Sequence, residues 1–195
     1  MHKKIILPTI LTALLLAACG DGGKPTPKPT AYIRIDLPEA SYSTLDTAVL
    51  PFSFSQNSHS QIVIKQNSRQ ECWADVTYPE QNGVVFLTYR RLDKPDDLKG
   101  QVDTAYRLLE QHFDFSSGVE EQQYADPEHH VYATTYHIKG NKVASTYQFW
   151  ATDSVRHFLR GALYINESPN NDSLAPVLNY LQTDVNHLIE TLRWK

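Results

Sequence analysis

Cys19 is the residue of this sequence that is best placed for covalent chemistry, because its thiol directly follows residues 16–18 (Leu-Ala-Ala). An apolar segment, residues 5–18, ends at this point, and Lys3 and Lys4 precede it. A positive start followed by a short apolar run is typical of a secretory leader and is too short to span a bilayer. The thiol therefore stands at the end of a leader, where covalent modification is the chemistry to consider.

Residues 16–19 resemble the lipobox of bacterial lipoproteins. In that class of signal the leader is cut before the cysteine, the thiol receives a diacylglycerol and the new N-terminus is acylated. The resemblance implies a signal peptide over residues 1–18 and lipidation at Cys19, and several acyl chains on one residue attach a protein firmly to a membrane. The alternative is an ordinary secretory peptide in which the cysteine is incidental.

Residues 19–30 are interpreted as a tether, because glycine and proline dominate them and they cannot build a core. The proline-rich part is a stiff spacer of roughly 3 Å per residue. Asp21 is the one acid close to Cys19, whereas the surface-export tags of some lipoproteins are acid-rich. The composition therefore favours a lipid-anchored protein of the cell envelope that faces the periplasm.

The remaining candidates for chemistry are weak. His129 and His130 are adjacent, and on a strand adjacent side chains point to opposite faces, so they cannot easily share a metal. The sequence contains no CxxC, HExxH or EF-hand spacing, no GxSxG elbow, no P-loop and no GxGxxG motif. We therefore predict no metal, no cofactor, no catalytic residue and no enzymatic activity.

The composition is that of a soluble globular domain. Hydrophobic residues make up 41% of the 195 residues and charged residues 21%. The formal net charge is −4, and removal of Lys3 and Lys4 with the leader would make it more negative. No cluster of lysine and arginine offsets this charge along the sequence, which excludes nucleic acid as an expected partner.

Alternation and turn signals predict strands in the first part of the domain and a helix after them. Asn82-Gly83 is expected to turn one pair of strands into a hairpin, and Asp96 and Asp97 suit the start of a helix that ends near His112. The predicted strands cover residues 32–37, 50–55, 60–65, 72–78, 84–90 and 119–124.

Three long strands and a closing helix are predicted in the second part, over residues 131–139, 142–151, 155–166 and 174–193. Two-residue loops at Gly140-Asn141 and at 153–154 would pair residue 138 with 143 and residue 149 with 158. The helix has an apolar stripe at alternating steps of four and three, and Asp172 or Ser173 is expected to cap it.

This register predicts a candidate partner-binding surface on one face of the three strands. Aromatic residues and arginine are enriched where proteins bind one another, and the face collects Tyr132, Tyr147, Phe158, Arg160 and Tyr164. The alternative is that the first helix covers this face and the aromatic residues belong to the core. The opposite face has small residues in its centre and is expected to receive the C-terminal helix.

The order strands, helix, strands, helix predicts a single α+β domain over residues 31–195, with an antiparallel sheet and two packing helices. The element order resembles the PsbP/Mog1-like sandwiches. That resemblance concerns architecture and implies nothing about function.

Several strings in one order resemble the gliding motility lipoprotein GldD family over nearly the whole mature chain. They are Lys28-Pro29, YIRIDLP at 32–38, Pro51-Phe52, Cys72-Trp73, HFLRGALYI at 157–165, DSLAPV at 172–177 and HLIETLRWK at 187–195. The family pattern has a cysteine directly before the Pro-aromatic pair that could bridge to the Cys-Trp cysteine. Here that position is Leu50, so Cys72 is left without an intramolecular partner, and we expect its thiol to be buried.

The resemblance implies a non-enzymatic envelope lipoprotein that serves as an accessory or assembly factor of gliding motility and the linked type IX secretion machinery. Its expected partners are the membrane, through the N-terminal lipid, and other lipoproteins of that apparatus. A second hypothesis is a periplasmic lipoprotein that binds a small ligand or a glycan on the aromatic face. A deep pocket lined by Tyr132, Tyr147 and Phe158 would favour the second hypothesis.

Overall fold

The computed structural model describes residues 35–45, 47–94 and 96–195, and residues from 35 onward belong to one compact unit. The predicted signal peptide, Cys19 and the tether lie outside the described residues. Within the described part, the helices are α1 (Asp97–Glu110) and α2 (Asn171–Glu190). The strands are β1 (Tyr42–Leu45), β2 (Phe52–Asn57), β3 (Gln61–Asn67), β4 (Glu71–Tyr78), β5 (Gly83–Arg91), β6 (Gly118–Asp126), β7 (Val131–Lys139), β8 (Tyr147–Thr152), β9 (His157–Ile165) and β10 (Arg193–Trp194).

Seven strands form an antiparallel sheet in the order β3-β4-β5-β9-β8-β7-β6. The predicted hairpin at Asn82 is confirmed: it joins β4 to β5, pairs Tyr78 with Gly83 and places Asn82 at a φ of 50°. Strands β6 and β7 and helix α1 also form where the sequence predicts them. The predicted fold class, α+β with antiparallel sheets and two packing helices, is confirmed.

A smaller sheet of three strands, in the order β1-β2-β10, brings the two ends of the domain together. Trp194 pairs with Phe52, so the chain leaves α2 at Glu190 instead of continuing as a helix to residue 193. The prediction of a strand over 32–37 is wrong for residues 35–37, which have no regular structure. The predicted caps are also wrong, because Asn170 precedes the helix.

The connection between β7 and β8 is longer than the predicted two-residue loop. Tyr147 pairs with His137, and residues 140–146 lie between the strands. Val143 is only 1% exposed, and Asn171 Nδ2 donates a hydrogen bond to its carbonyl oxygen at 2.9 Å. The burial of Val143 and this hydrogen bond to α2 make the longer loop more stable than a tight hairpin would be.

The turn between β8 and β9 is also longer than predicted, because a carboxylate organises it. Asp153 Oδ1 accepts hydrogen bonds from three successive backbone N–H groups, the last of them from His157 at 2.8 Å. These hydrogen bonds stabilise a turn of four residues, 153–156, instead of two. Phe149 consequently pairs with Gly161 and not with Phe158.

Each of these two turns shifts the predicted pairing register by the same number of residues. The two shifts cancel between β7 and β9. The side chains of β7 and β9 therefore point to the faces that were predicted for them. The side chains of β8, which lies between these strands, point to the opposite faces. Tyr147 and Phe149 therefore lie on the α2 side of the sheet, and Gln148 and Trp150 lie on the α1 side.

The two helices cover opposite faces of the large sheet. Helix α1 buries Ala105 and Leu109 against the β8–β9 region, where Phe158 is enclosed. Helix α2 and the small sheet bury the other face in a larger core. Its members include Phe52, Phe54, Phe149, Leu159, Leu163, Leu181, Val185 and Leu188. The predicted docking of the C-terminal helix on this face is confirmed.

Candidate partner-binding face

Helix α1 covers only part of its face of the large sheet. It packs on β8 and β9, and strands β3 to β5 lie beyond it in the sheet order. On these uncovered strands three large apolar side chains point to solvent: Val63 is 39% exposed, Trp73 43% and Phe86 42%. We call Val63, Trp73, Phe86, Arg160 and Tyr164 the open face.

Aromatic contacts connect the open face to α1. The rings of Phe86 and Tyr164 lie 5.5 Å apart, and the ring of Tyr164 lies 6.2 Å from that of His112, just beyond the end of the helix. Sheet register sets Trp73 opposite Thr88, which in turn lies opposite Arg160. The open face is therefore a continuous strip that crosses β4, β5 and β9.

Arg160 supplies a positive charge at the β9 end of this strip. Its guanidinium donates a hydrogen bond to Gln148 Oε1 at 2.7 Å. Burial lowers the pKa of Arg160, and Tyr164 opposes that shift. Burial and the neighbouring Arg160 also lower the pKa of His112, so this imidazole is neutral at pH 7 and Arg160 carries the local charge.

Polar contacts hold Trp73 in place at the outer end of the strip. The indole Nε1 of Trp73 donates a hydrogen bond to Glu71 Oε1, and Arg90 forms an ion pair with the same oxygen at 2.7 Å. An aromatic side chain that is fixed in this way loses little conformational entropy on binding. The open face therefore has rigid aromatic groups with charged residues at its edge, as protein-binding surfaces have.

The structure separates the five predicted binding residues. Arg160 and Tyr164 lie on the open face, and Tyr132 lies half-buried on β7. Phe158 is buried in the cluster under α1. The placement of Tyr147 on the same face is wrong: β8 is inverted, and its hydroxyl donates to Asn186 on α2 at 2.5 Å. Phe158 and Tyr147 therefore cannot line one aromatic pocket with Tyr132.

Val63, Trp73 and Phe86 are the open-face residues that sequence reasoning missed. A signal for Phe86 was present in β5, where residues 84–87 (Val-Val-Phe-Leu) are apolar without alternation. A strand with this pattern has apolar side chains on both faces. On β5 the inward-facing Val85 and Leu87 are buried, whereas Phe86 is exposed because no helix reaches it.

A buried carboxylate, Asp184 on α2, forms the most polar cluster inside the domain. Tyr42 donates its hydroxyl hydrogen to Asp184 Oδ1 at 2.6 Å, and Asn57 Nδ2 donates to Asp184 Oδ2 at 2.6 Å. Burial, followed by the charge of Asp184 and a hydrogen bond to it, raises the pKa of Tyr78 above its ordinary value. The cluster joins β1 and β2 to α2. Asp184 at its centre is only 4% exposed, whereas Tyr42 at its edge is 37% exposed.

Within residues 35–45, 47–94 and 96–195, no group of three or more His, Cys, Asp or Glu side chains is placed to hold a metal ion. In the same part of the chain, no helix has the length and apolarity that are needed to cross a membrane. The thiol of Cys72 is buried in the core, as predicted, and burial raises its pKa. Leu50, in the position of the missing cysteine, is buried in the same core cluster.

Comparison with known families identifies the chain. The family model described as gliding motility lipoprotein GldD matches residues 22–194. The chain belongs to the GldD family. The resemblance inferred from the sequence is therefore confirmed, and membership of this lipoprotein family makes the protein a membrane-anchored component of the cell envelope with a connection to gliding motility.

Other comparisons add little. No curated protein matches the chain at a significant level. The solution structure of cyanobacterial PsbP (CyanoP) from Synechocystis sp. PCC 6803 is similar, with a TM-score of 0.48 and 11% identity, and the match covers 84% of this chain and 98% of that one.

Proposed function

We propose that this protein is a non-enzymatic accessory or assembly factor of the gliding motility and type IX secretion machinery. In this proposal the lipid on Cys19 anchors it to a membrane, residues 19–30 form the tether, and the domain faces the periplasm. Its open face binds other lipoproteins of the apparatus. The observation that carries the proposal is the exposure of Trp73 and Phe86 beside Arg160 and Tyr164 on a rigid sheet.

The composition of the open face supports binding to a protein. Tryptophan, tyrosine and arginine dominate the energetics of protein interfaces, and here they lie together on three neighbouring strands. Large aromatic groups that remain exposed on a sheet mark an interaction surface. The surface lies open and no enclosing pocket joins Tyr132, Tyr147 and Phe158, so the observations favour a protein partner over a small ligand.

The experiment that tests the proposed function is deletion of the gene, scored in one strain for colony spreading and for secretion of type IX cargo. We expect both to be lost, to be restored by the wild type and not to be restored by Cys19→Ala. Membrane fractionation of the Cys19→Ala protein should show it released from the membrane and without a lipid label. Normal spreading and secretion in the deletion strain would refute the proposed role.

Alanine at both Trp73 and Phe86 is expected to weaken the complex with the lipoproteins of the apparatus at least tenfold. Each side chain would otherwise bury an aromatic ring at the interface, and such residues contribute about 2 kcal/mol or more to binding. The measurement is co-purification of those lipoproteins from membranes, together with colony spreading in the complemented deletion strain. Both side chains are more than half covered, so the melting temperature should fall by several degrees, and binding is compared well below it.

The matched control is Phe115→Ala, which removes an aromatic ring that is 61% exposed but lies outside the open face. This variant should bind and spread like the wild type. If it is as defective as the double variant, or if the double variant binds normally, the open face is not the binding surface.

A further inference from the structure

Two adjoining clefts lie at the end of the domain where β10 meets the start of β2. They have volumes of about 590 and 630 Å³ and share His157 and Lys195 in their linings. The connection before β2, the turn between β3 and β4 and the turn before β9 form the walls. We call the pair the terminal cleft.

Positive charge is concentrated in the terminal cleft, although the chain as a whole is acidic. Five basic side chains line it: Arg69, Arg91, Arg156, Arg193 and Lys195. The first three have no carboxylate within ion-pair distance among the described residues, and the nearest acid of Arg193 is Asp126 at 3.8 Å. Among the described side chains of the lining, Asp153 carries the one carboxylate, and its Oδ1 accepts hydrogen bonds from the backbone N–H groups of its own turn.

The floor of the terminal cleft is rigid and uncharged. The ring of His157 stacks on that of Trp194, with centroids 5.1 Å apart and planes at 18°, and its Nδ1 lies 2.9 Å from the hydroxyl of Tyr89. Trp194 Nε1 also donates to the carbonyl oxygen of His130 at 3.0 Å. Burial lowers the pKa of His157 and raises that of Tyr89 to about 12, so both are neutral at pH 7. The arginines around this floor provide the charge.

We propose that the terminal cleft binds an extended acidic segment of a partner protein. Guanidinium groups form paired hydrogen bonds to carboxylates, and the rest of an acidic domain would repel such a segment and direct it to this cleft. Two exposed aliphatic side chains also line it, Val49 (46% exposed) in one part and Val155 (54%) in the other. They suit a chain that carries apolar residues between its acids.

A peptide fits these features better than an anionic sugar chain does. The exposed Val49 and Val155 offer apolar contacts that valine or similar side chains of a peptide would use and a highly charged sugar chain would not. The two clefts are also open grooves that adjoin at His157 and Lys195. One extended segment can therefore run through both. This proposal concerns a different surface from the open face and does not depend on it.

The test is fluorescence anisotropy with the mature lipoprotein in a non-ionic detergent. The probe is a fluorescein-labelled octapeptide of alternating glutamate and valine. We expect binding that weakens with added salt, and an affinity at least tenfold lower for the double variant Arg91→Gln, Arg156→Gln. The control is Lys99→Gln with Arg107→Gln, which makes the same change in net charge at exposed positions of α1 and should leave the affinity unchanged.

Three results would overturn the proposal. The first is that the peptide does not bind at low salt. The second is an equal loss of affinity in the two double variants, which would mean that only the net charge matters. The third is that dextran sulfate binds the cleft more tightly than the peptide does and loses affinity in the Arg91→Gln, Arg156→Gln variant, which would assign the site to an anionic glycan. All variants are at exposed positions, so their melting temperatures should match that of the wild type.

Discussion

Alanine at Gly161 is expected to lower the free energy of unfolding by about 3 kcal/mol, the upper end of the range for overpacked cores. Gly161 lies opposite Phe149 in the sheet, and the phenyl ring occupies the space that a side chain would need. A methyl group there would lie 2.5 Å from Cζ and 2.7 Å from Cδ1 of Phe149, and closer still to Cε1. Phe149 is buried in the main core, with only 2% of its surface exposed, so the ring cannot move aside without disturbing its neighbours.

The control for Gly161 is the same substitution at Gly100, an exposed position in α1 with no atom within 4 Å of the new methyl group. There alanine should stabilise the protein by about 0.5 to 1 kcal/mol, because it is the better helix former. Chemical denaturation of both variants gives the two values. If Gly161→Ala proves as stable as the wild type, the packing of Phe149 against this glycine is not as described.

Alanine at Asp184 is expected to reduce the free energy of unfolding by about 3 kcal/mol, because the hydroxyl of Tyr42 and the amide of Asn57 lose their acceptor. These bonds connect β1 and β2 to α2, so the paired strands β1 and β2 should be the first part of the domain to lose protection. Hydrogen exchange at the amides of β1 measures that effect, and chemical denaturation measures the total.

Two further substitutions separate a structural role of Asp184 from a chemical one. Asp184→Asn keeps one acceptor oxygen and should lose less stability than the alanine variant. Asp103→Ala removes an exposed carboxylate that pairs only with Lys99 on α1 and should change stability by under about 0.5 kcal/mol. A stable Asp184→Ala protein that fails to restore colony spreading would instead indicate that the carboxylate acts chemically.

Much of the fold follows from local signals in the sequence. Alternation identified β7, the turn at Asn82 identified the β4–β5 hairpin, and the apolar spacing in 98–109 identified α1. These features depend on residues that are close in sequence, so the pattern alone decides them. The faces of β7 and β9 were also correct, although only because two errors of register offset each other.

The inversion of β8 could not be predicted, because distant residues determine the loop before it. Val143 leaves the strand to join a cluster with Leu109 from α1, and Asn171 from α2 holds its carbonyl group. Neither contact is visible in the local sequence. The Gly140-Asn141 pair favours a tight hairpin, and the burial of Val143 outweighs that preference.

Only part of the candidate surface was predicted, because distant contacts also decide which residues are exposed there. Arg160 and Tyr164 were identified from their types and spacing, and they do lie on the open face. Which strands remain open depends on where α1 comes to rest along the sheet, and that is a matter of tertiary packing. Trp73 and Phe86 could therefore be assigned to an exposed surface only once the helix was in place.

The pairing of β2 with β10 also determines when folding can finish. Phe52 near the start of the domain is enclosed only when Trp194 at its far end arrives, and such long-range contacts give a fold a high contact order and slow assembly. The first sheet of the domain is therefore complete only when its last strand, β10, has paired with β2.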